Sequence, residues 1–370
     1  MENQTWYQIT NTKNLQTPAL VIFPERVQQN INLLISQIDN PNRLRPHIKT
    51  CKATEPVLLM LEAGITKFKC ATIAEAEMLG MAKAPDVLLA YQLVGANIER
   101  FLKLMQKYPQ TNFSCLVDNQ FSAQKLNEAA LENSVQISVY IDLNLGMNRT
   151  GINPNQAAEL YDFCAIKEAL QPLGLHAYDG HIHEPDLDLR REIWRTVFSQ
   201  VKTVAQDLVD IGFPEPIIIA GGTPTFPFYA EEKNVECSPG TFIYWDDGYQ
   251  SHFTEQSFLP SALVVCRVIS LPDETKICLD LGHKAIASES DLQHRIRFLN
   301  APELKFIGHS EEHLVADAGA NHAYQIGDIL YGLPYHICPT VALHQFGITI
   351  ENNEITGSWE TLARNRKITL

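Results

Sequence analysis

Short apolar runs of strand length alternate with amphipathic stretches of helical period through the first part of the chain. The runs lie near residues 18–23, 44–48, 67–71, 87–91, 113–117, 137–141, 173–177 and 216–220. The stretches between them carry helix signals, such as the capping-box pattern of Thr72 and Glu75 and the C-terminal stops offered by Gly64, Gly80 and Gly212. Eight strand–helix units of this kind predict a parallel (β/α)8 barrel.

The pattern changes after about residue 250, where helical periodicity gives way to short runs rich in β-branched residues. These runs lie near residues 262–269, 276–281, 304–307, 313–316, 329–333 and 346–350. The chain is therefore predicted to be an α/β protein in which a TIM-type barrel over residues 15–250 precedes a smaller, mainly antiparallel β domain. We place that β domain at residues 251–370, with residues 1–14 as a segment that can join it.

Composition excludes several classes of partner. The chain has 370 residues and a formal net charge of −14, which disfavours nucleic acid and anionic membrane surfaces. The N-terminal sequence lacks the charged and apolar regions of a signal peptide, and no apolar stretch reaches spanning length. The eight cysteines of the chain are scattered singly along it, which is typical of reduced thiols. A cytoplasmic protein without a nucleic-acid or membrane partner is expected.

Lys49 ends the second apolar run and stands just before a helix predicted to begin near Thr54. Active sites of (β/α)8 barrels gather at the carboxyl ends of the strands, where this lysine lies. A lysine amine there can condense with an aldehyde such as pyridoxal phosphate, which then withdraws electrons from amino-acid carbanions. Position alone leaves a solvent-facing surface lysine equally open.

Two loops contain glycine and hydroxyl residues in a pattern that suits phosphate. Gly221, Gly222 and Thr223 follow the eighth apolar run, and a second loop contains Gly240 and Thr241. Exposed backbone N–H groups and hydroxyls bind phosphate, and barrels often place phosphate sites after their last strands. An ordinary Gly-Gly turn is the alternative.

Polar residues also follow the sixth and seventh apolar runs. Because these runs are predicted to be adjacent strands, we expect the side chains after them to meet at one rim of the barrel. Spacing does not assign their roles, and a histidine in a polar loop is often structural. The candidates are Arg149, Tyr178, His181, His183 and Glu184.

His336 and Cys338 form the last candidate site. If their segment is extended, residues two apart project from the same face, so the imidazole and the thiolate can bind one metal ion. These donors favour Zn over Mn or Mg. A core histidine beside a core cysteine remains the alternative.

Four motifs together resemble the family of D-threonine aldolase and D-serine dehydratase, which belongs to the alanine-racemase-like, fold type III enzymes of pyridoxal phosphate. They are Arg-Pro-His-Ile-Lys-Thr at 45–50, Asp-x-x-x-Gly-Met-x-Arg-x-Gly at 142–151, Gly-Gly-Thr-Pro-Thr at 221–225 and His-x-Cys-Pro-Thr at 336–340. They occur in the order found in the family. The resemblance implies a barrel followed by a β domain, and commonly a homodimer.

The resemblance also implies roles for individual residues. Lys49 corresponds to the lysine that forms the Schiff base with pyridoxal 5′-phosphate, and His336 and Cys338 correspond to the ligands of a divalent metal, with Zn favoured and Mn or Mg as alternatives. The implied contacts of the cofactor are Arg149, Tyr178, Gly222, Thr223, Gly240 and Thr241.

The expected activity is a lyase reaction on small β-hydroxy-D-amino acids. Retro-aldol cleavage to glycine and an aldehyde is favoured, with His183 or Glu184 as the base, because relatives with a histidine in this loop tend to be aldolases. Dehydration to a keto acid and ammonia is the alternative, and Cys338 leans that way because many aldolases of the family carry Asp there. A racemase and a non-catalytic carrier of pyridoxal phosphate are less favoured.

Overall fold

The computed structural model describes residues 5–370, and its contacts divide them into two compact units. The β unit comprises residues 5–33, 50–56 and 241–364, and the barrel unit comprises residues 34–49, 57–240 and 365–370. The predicted range 15–250 thus includes three segments that group with the β unit instead. Residues 5–14 of the predicted joining segment 1–14 lie in the β unit, whereas residues 1–4 are outside the described residues.

Strands alternate with helices up to about residue 250, and strands predominate after it. The strands are β1 (Ala19–Ile22), β2 (Lys67–Cys70), β3 (Asp86–Gln92), β4 (Asn112–Val117), β5 (Ile137–Asp142), β6 (Leu170–Ala177), β7 (Ile217–Ala220), β8 (Val235–Cys237), β9 (Ala262–Ser270), β10 (Lys276–Leu279), β11 (Ile296–Phe298), β12 (Lys305–His309), β13 (Leu314–Asp317), β14 (Ile329–Pro334), β15 (Phe346–Glu351) and β16 (Glu354–Glu360). The helices are α1 (Pro24–Ser36), α2 (Thr54–Glu62), α3 (Ile73–Met81), α4 (Ala96–Lys107), α5 (Gln120–Glu132), α6 (Pro154–Ala165), α7 (Leu187–Asp210), α8 (Phe226–Glu231), α9 (Asp247–His252) and α10 (Ile337–Leu343).

The barrel unit contains seven parallel strands in the sequential order β2-β3-β4-β5-β6-β7-β8, with helices between them. Inward-facing residues of β3, β4, β5 and β7 form one apolar cluster, made of Leu88, Leu116, Tyr140 and Ile219. The predicted strand–helix alternation is confirmed for the runs from residue 67 onward. An alternation of strands and helices requires that neighbouring strands be parallel and joined by crossover helices, as they are here.

The pairing of β1 and the presence of β8 differ from the prediction. The run at 18–23 is predicted to open the barrel, but β1 pairs with β9 and β15 in the β unit. All four residues of β1 are buried, as in a barrel strand, so local pattern does not separate the two cases. The strand β8 is absent from the prediction, because it has three residues and Glu236 interrupts its apolar pattern.

The run 44–48 takes the remaining position of the barrel without forming a regular strand. Leu44 makes an isolated parallel bridge to Cys237 in β8, and His47 makes another to Lys69 in β2. Ile48 N donates to the carbonyl of Lys69 at 2.9 Å, and Lys69 N donates to the carbonyl of Pro46 at 2.9 Å. The run therefore lies between β8 and β2 and contacts both.

The β unit is built on a nine-stranded mixed sheet. Its main path is β12-β13-β10-β9-β1-β15-β16, with β14 pairing to β9 and β11. All pairings are antiparallel except that of β1 with β15. The mainly antiparallel β domain is confirmed, and β11 and β16 are additions to the predicted strands.

Helix ends follow the predicted signals with one exception. Thr72 caps α3 by accepting from Glu75 N at 3.1 Å, and the Glu75 carboxylate accepts from Ala71 N at 2.6 Å. Gly64 has φ +88° after α2, as a C-terminal glycine should. Gly80, however, lies inside α3, where the Tyr108 ring would approach an added Cβ to 2.8 Å. Close packing explains this glycine better than a helix stop.

Within residues 5–370, no helix is long and apolar enough to cross a membrane.

Candidate active site

A cavity of about 530 Å³ lies in the barrel unit, at the carboxyl ends of its strands. Lys49 lines it, together with Lys69 from β2, Arg149 from the loop after β5, His176 from β6 and Tyr178 just beyond β6. Three of the sequence-predicted residues, Lys49, Arg149 and Tyr178, are thus brought to one cavity. Lys69 and His176 have no local sequence signal that predicts them as site residues.

A buried ion-pair network holds the run that carries Lys49. The Arg45 side chain is 1% exposed, and its guanidinium donates to Glu236 at 2.7 Å and to Asp86 at 2.6 Å. Glu236 also pairs with Lys67. These bonds hold Arg45, four residues before the partly buried Lys49, against the strands β3 and β8.

Three cationic groups surround the Tyr178 ring. Lys49 Nζ lies 5.7 Å from the ring centroid, Lys69 Nζ 5.4 Å and Arg149 Cζ 5.2 Å. At these distances each cation is attracted by the ring. The cavity therefore presents basic groups to a ligand that carries anionic groups.

A buried polar network forms another wall of the cavity. His176 Nδ1 lies 2.7 Å from Asp142, and Gln92 Nε2 donates to Asp142 at 2.7 Å and to Asp118 at 3.1 Å. Burial lowers the pKa of His176, and the bond with Asp142 does not fully offset this effect. Burial alone would raise the pKa of Asp142, but its hydrogen bonds from His176, Thr150 and Gln92 lower it. His176 is therefore a neutral imidazole that lies beside the Asp142 carboxylate.

The loops after β7 and β8 meet within the barrel unit. Gly240 N donates to the Thr223 hydroxyl at 3.1 Å, and an added Cβ on Gly222 would lie 3.3 Å from the Tyr178 ring. Gly221 has φ +73°, a conformation that favours glycine. The buried Ser238 hydroxyl has no hydrogen-bond partner among the described residues.

These residues fit pyridoxal phosphate. A lysine amine lines a cavity of suitable size, Gly222 lets its loop pack closely against the Tyr178 ring, and the buried Ser238 hydroxyl, which has no partner within the described residues, can donate to an anion. Thr241, the remaining predicted contact of the cofactor, belongs to the β unit, where its hydroxyl lies 3.8 Å from Cys338 Sγ.

The loop after β6 carries the two predicted bases. The His183 side chain is exposed, and Glu184 is partly buried, with its carboxylate accepting from Asp186 N at 3.3 Å. Neither residue lines the cavity of the barrel unit. Burial lowers the pKa of the neighbouring His181, whose ring lies 3.0 Å from an ideal Cβ placed on Gly146.

The second predicted site lies in the β unit, at the start of α10. The segment is not extended as expected, because His336 is the N-cap residue and Cys338 is in the first turn of the helix. The two side chains nevertheless lie close enough to interact, since Cys338 raises the pKa of His336. Asp246 supports this turn by accepting from Ile337 N at 3.0 Å. A helix start, rather than a strand face, brings the pair together.

Polar groups of the β unit surround the pair. His336 Nδ1 lies 2.6 Å from the Glu289 carboxylate, and Cys338 Sγ lies 3.1 Å from the Thr50 hydroxyl. Burial alone would lower the pKa of His336, but the hydrogen bond with Cys338 and the nearby Glu289 raise it to about 9. Imidazole and thiolate are donors that suit a transition metal.

No group of three or more His, Cys, Asp or Glu side chains within residues 5–370 is arranged to hold a metal ion. His336 and Cys338 are therefore two donors, and water or a substrate would have to complete the coordination of a metal. Two protein donors fit an open, reactive site better than a closed structural one.

Comparisons with known proteins identify related sequences over most of the chain. The model of the alanine racemase N-terminal domain matches residues 22–247, and that of the putative serine dehydratase domain matches residues 261–350. A D-threonine aldolase of Arthrobacter sp. is 26% identical over 95% of this chain and 93% of its own. A D-threo-3-hydroxyaspartate dehydratase of Delftia sp. is 24% identical over 94% of this chain and 97% of its own.

A solved structure shows the same fold. The D-threonine aldolase from Filomicrobium marinum superposes with a TM-score of 0.87 at 24% identity, covering 98% of this chain and 99% of the other. The resemblance inferred from the four motifs is confirmed. Because the family model matches more than half of the sequence, the chain belongs to the alanine racemase N-terminal domain family, whose cofactor is pyridoxal phosphate.

Proposed function

We propose that this protein is a pyridoxal phosphate- and metal-dependent lyase that cleaves β-hydroxy-D-amino acids to glycine and an aldehyde. The observation that carries the proposal is the Lys49 amine in the barrel cavity, grouped with Arg149 and Tyr178. The names of the aldolase and dehydratase relatives support the substrate class, including its D configuration.

The barrel residues would hold the cofactor. Lys49 supplies the amine that binds it, while the loops after β7 and β8 and the cationic Arg149 receive its anionic groups. When bound, pyridoxal phosphate withdraws electrons from the substrate carbon next to the nitrogen. The proposed contacts are Arg149, Tyr178, Gly222, Thr223, Gly240 and Thr241.

His336 and Cys338 would hold the metal. A thiolate and an imidazole favour Zn, with Mn and Mg as alternatives. A divalent cation lowers the pKa of an oxygen that it binds, which suits a substrate with a β-hydroxyl. Glu289 orients His336 through their 2.6 Å contact.

A base must accept the β-hydroxyl proton before the Cα–Cβ bond breaks. His183 and Glu184 are our candidates, because the loop after β6 carries both. Replacing each by Gln in turn tests the assignment. Loss of glycine production in one variant, with cofactor binding retained, identifies the base.

A product assay tests the reaction itself. Purified protein is incubated with D-threonine and with D-serine, and glycine, pyruvate and 2-oxobutyrate are measured separately. Glycine and acetaldehyde from D-threonine are expected. Keto acid without glycine would rule out the aldolase.

Dehydration is the second candidate, favoured by Cys338 and by the match of residues 261–350 to the putative serine dehydratase domain. In that reaction Lys49 removes the α proton, hydroxide leaves, and a keto acid and ammonia form. The same assay distinguishes it, since pyruvate would come from D-serine and 2-oxobutyrate from D-threonine.

Two further outcomes separate the less favoured functions. Interconversion of amino-acid enantiomers that survives chelation by EDTA would indicate a racemase, and bound cofactor without turnover of any β-hydroxy amino acid would indicate a carrier. We also propose a cytoplasmic homodimer. Sedimentation of the purified chain at the mass of a monomer would contradict the dimer.

A further inference from the structure

Lys69 is a second lysine of the barrel cavity, which the proposed roles leave unused. It lies on β2, and only 1% of its surface is exposed. Lys67 projects from the same face of the strand two residues earlier, and its charge is paired with Glu236. Among the described residues, no carboxylate lies within ion-pair distance of the Lys69 amine.

Charged and titratable groups face Lys69 from several elements. The run 44–49 contributes Arg45 and Lys49, β5 contributes Asp142, and the loop after β6 contributes Asp179. The Tyr178 ring lies 5.4 Å from the amine. A buried amine without an ion-pair partner is costly to maintain, so its place on the cavity wall needs a reason other than stability.

The protonation of Lys69 is poised near neutrality. Burial lowers its pKa to about 7, the charges of Lys49 and Arg45 act in the same direction, and those of Asp179 and Asp142 oppose them. The amine of Lys69 therefore titrates near pH 7, where most lysine amines stay fully protonated. A ligand oxygen that carries negative charge would favour the ammonium form.

We propose that Lys69 binds an anionic oxygen of the ligand held in this cavity and takes up a proton when it does so. No covalent bond changes in this step: the amine gains a proton from solvent and donates it in a hydrogen bond to the oxygen. The oxygen can belong to the cofactor ring or to the substrate carboxylate, which share this chemistry. The inference rests on the proposed function for the presence of that ligand.

Binding of 4′-deoxypyridoxine 5′-phosphate to the cofactor-free full chain tests the first source. This analogue has the ring oxygen and the phosphate but no aldehyde, so it cannot react with Lys49. Calorimetry at pH 8 in two buffers of different ionisation enthalpy gives both the affinity and the protons taken up. Wild-type protein should take up more protons than either Lys69→Met or Lys69→Arg, because neither replacement titrates in this range.

The variants separate charge from proton exchange. Lys69→Met should bind the analogue about 10- to 100-fold more weakly, the effect of one charged hydrogen bond. Lys69→Arg keeps a permanent charge and should retain most of the affinity while losing the proton uptake. Lys67→Met removes a lysine from the same strand face and should leave the proton uptake unchanged, which makes it the matched control.

The second source is tested with the cofactor-loaded enzyme and D-alanine, which has a carboxylate but no β-hydroxyl. Its binding is followed by the visible absorbance of the cofactor. A higher apparent Kd in Lys69→Met, with unchanged affinity for the analogue, assigns the substrate carboxylate as the partner of Lys69. Weaker binding of the analogue assigns the cofactor oxygen.

The failures of the two proposals are distinguishable. If wild-type protein binds the analogue and D-alanine but Lys69→Met binds both equally well, the role of Lys69 is overturned and the proposed function stands. Proton uptake that is unchanged in Lys69→Arg for both the analogue and D-alanine would overturn it too, even if Lys69→Met does not fold. Absence of analogue binding to wild-type protein overturns both.

Discussion

Arg45 illustrates how one buried residue fixes the segment that carries Lys49. Its guanidinium pairs with Glu236 from β8 and with Asp86 from β3, so it ties the irregular run 44–48 to strands of the barrel unit. The run lacks a regular ladder, and these bonds replace part of what the ladder would give. The sequence motif contains Arg45, but its partners are 41 and 191 residues away and have no local signal.

Replacing Arg45 by Met should lower the free energy of unfolding by about 3–5 kcal/mol, because Glu236 and Asp86 would be left without their buried partner. Urea unfolding measures the change. Arg191→Met is the control: its partner Glu231 is 58% exposed, so the loss should be below about 1 kcal/mol. Equal losses in the two variants would contradict the structural role of Arg45.

Lys69 gives stability a distinct pH dependence. Its pKa falls from an ordinary 10.5 to about 7 on folding, so between these values the unfolded chain binds more protons. The contribution of Lys69 to the free energy of unfolding therefore rises with pH across this window and is constant below it. Lys69→Met should be the more stable protein at pH 7, and its advantage over wild type should shrink towards pH 10. An advantage that does not vary with pH would refute the assignment.

Glu289 is expected to support the proposed metal ligands His336 and Cys338 through its contact with His336. Partners of this kind orient the imidazole, and their removal typically costs about 10- to 100-fold in metal affinity. Glu289→Ala should therefore lose metal to a chelator at lower chelator concentration than wild type. Glu311→Ala is the control and should behave as wild type, because Glu311 is an exposed carboxylate paired with Lys284. Identical chelator curves for Glu289→Ala and wild type would count against the metal site.

At the scale of elements, periodicity predicts what an element is better than where it packs. Short β-branched runs predict the strands β9, β10 and β12 to β15, and apolar runs between helices predict the parallel strands from β2 to β7. The partners of a strand are set by distant residues, which is why the prediction assigns β1 to the wrong sheet. The same limit applies to α10, whose helical first turn brings His336 and Cys338 together without the extended segment that spacing suggests.

The loop after β7 allows a test at this scale. Gly221 has φ +73°, and an added Cβ would lie 2.6 Å from the Tyr229 ring, so Gly221→Ala should distort the loop and weaken cofactor binding. Gly212 has φ +103° with nothing within 4 Å of an added Cβ, so Gly212→Ala carries backbone strain alone and should bind cofactor normally. The affinity of each cofactor-free variant for pyridoxal 5′-phosphate is the measurement. Equal affinities would show that the loop does not hold the phosphate.

For the molecule as a whole, the motifs establish the family and the two kinds of unit, since they extend in order from residue 45 to residue 340. They do not reveal the division of the chain, in which the β unit takes residues 5–33, 50–56 and 241–364. Nor do they identify Lys69 and His176, because a single polar residue in an apolar strand reveals its surroundings only once the neighbouring strands are known.

The central claim is that Lys49 holds the cofactor, and reductive labelling tests it most directly. Borohydride treatment of the enzyme loaded with pyridoxal 5′-phosphate fixes the cofactor on the lysine that binds it, and mass spectrometry of the peptides identifies that lysine. We expect the label on Lys49, and Lys49→Ala should lose both the visible absorbance of lysine-bound cofactor and turnover. A label on Lys69 or any other lysine in wild-type protein, or turnover retained by Lys49→Ala, would contradict the account.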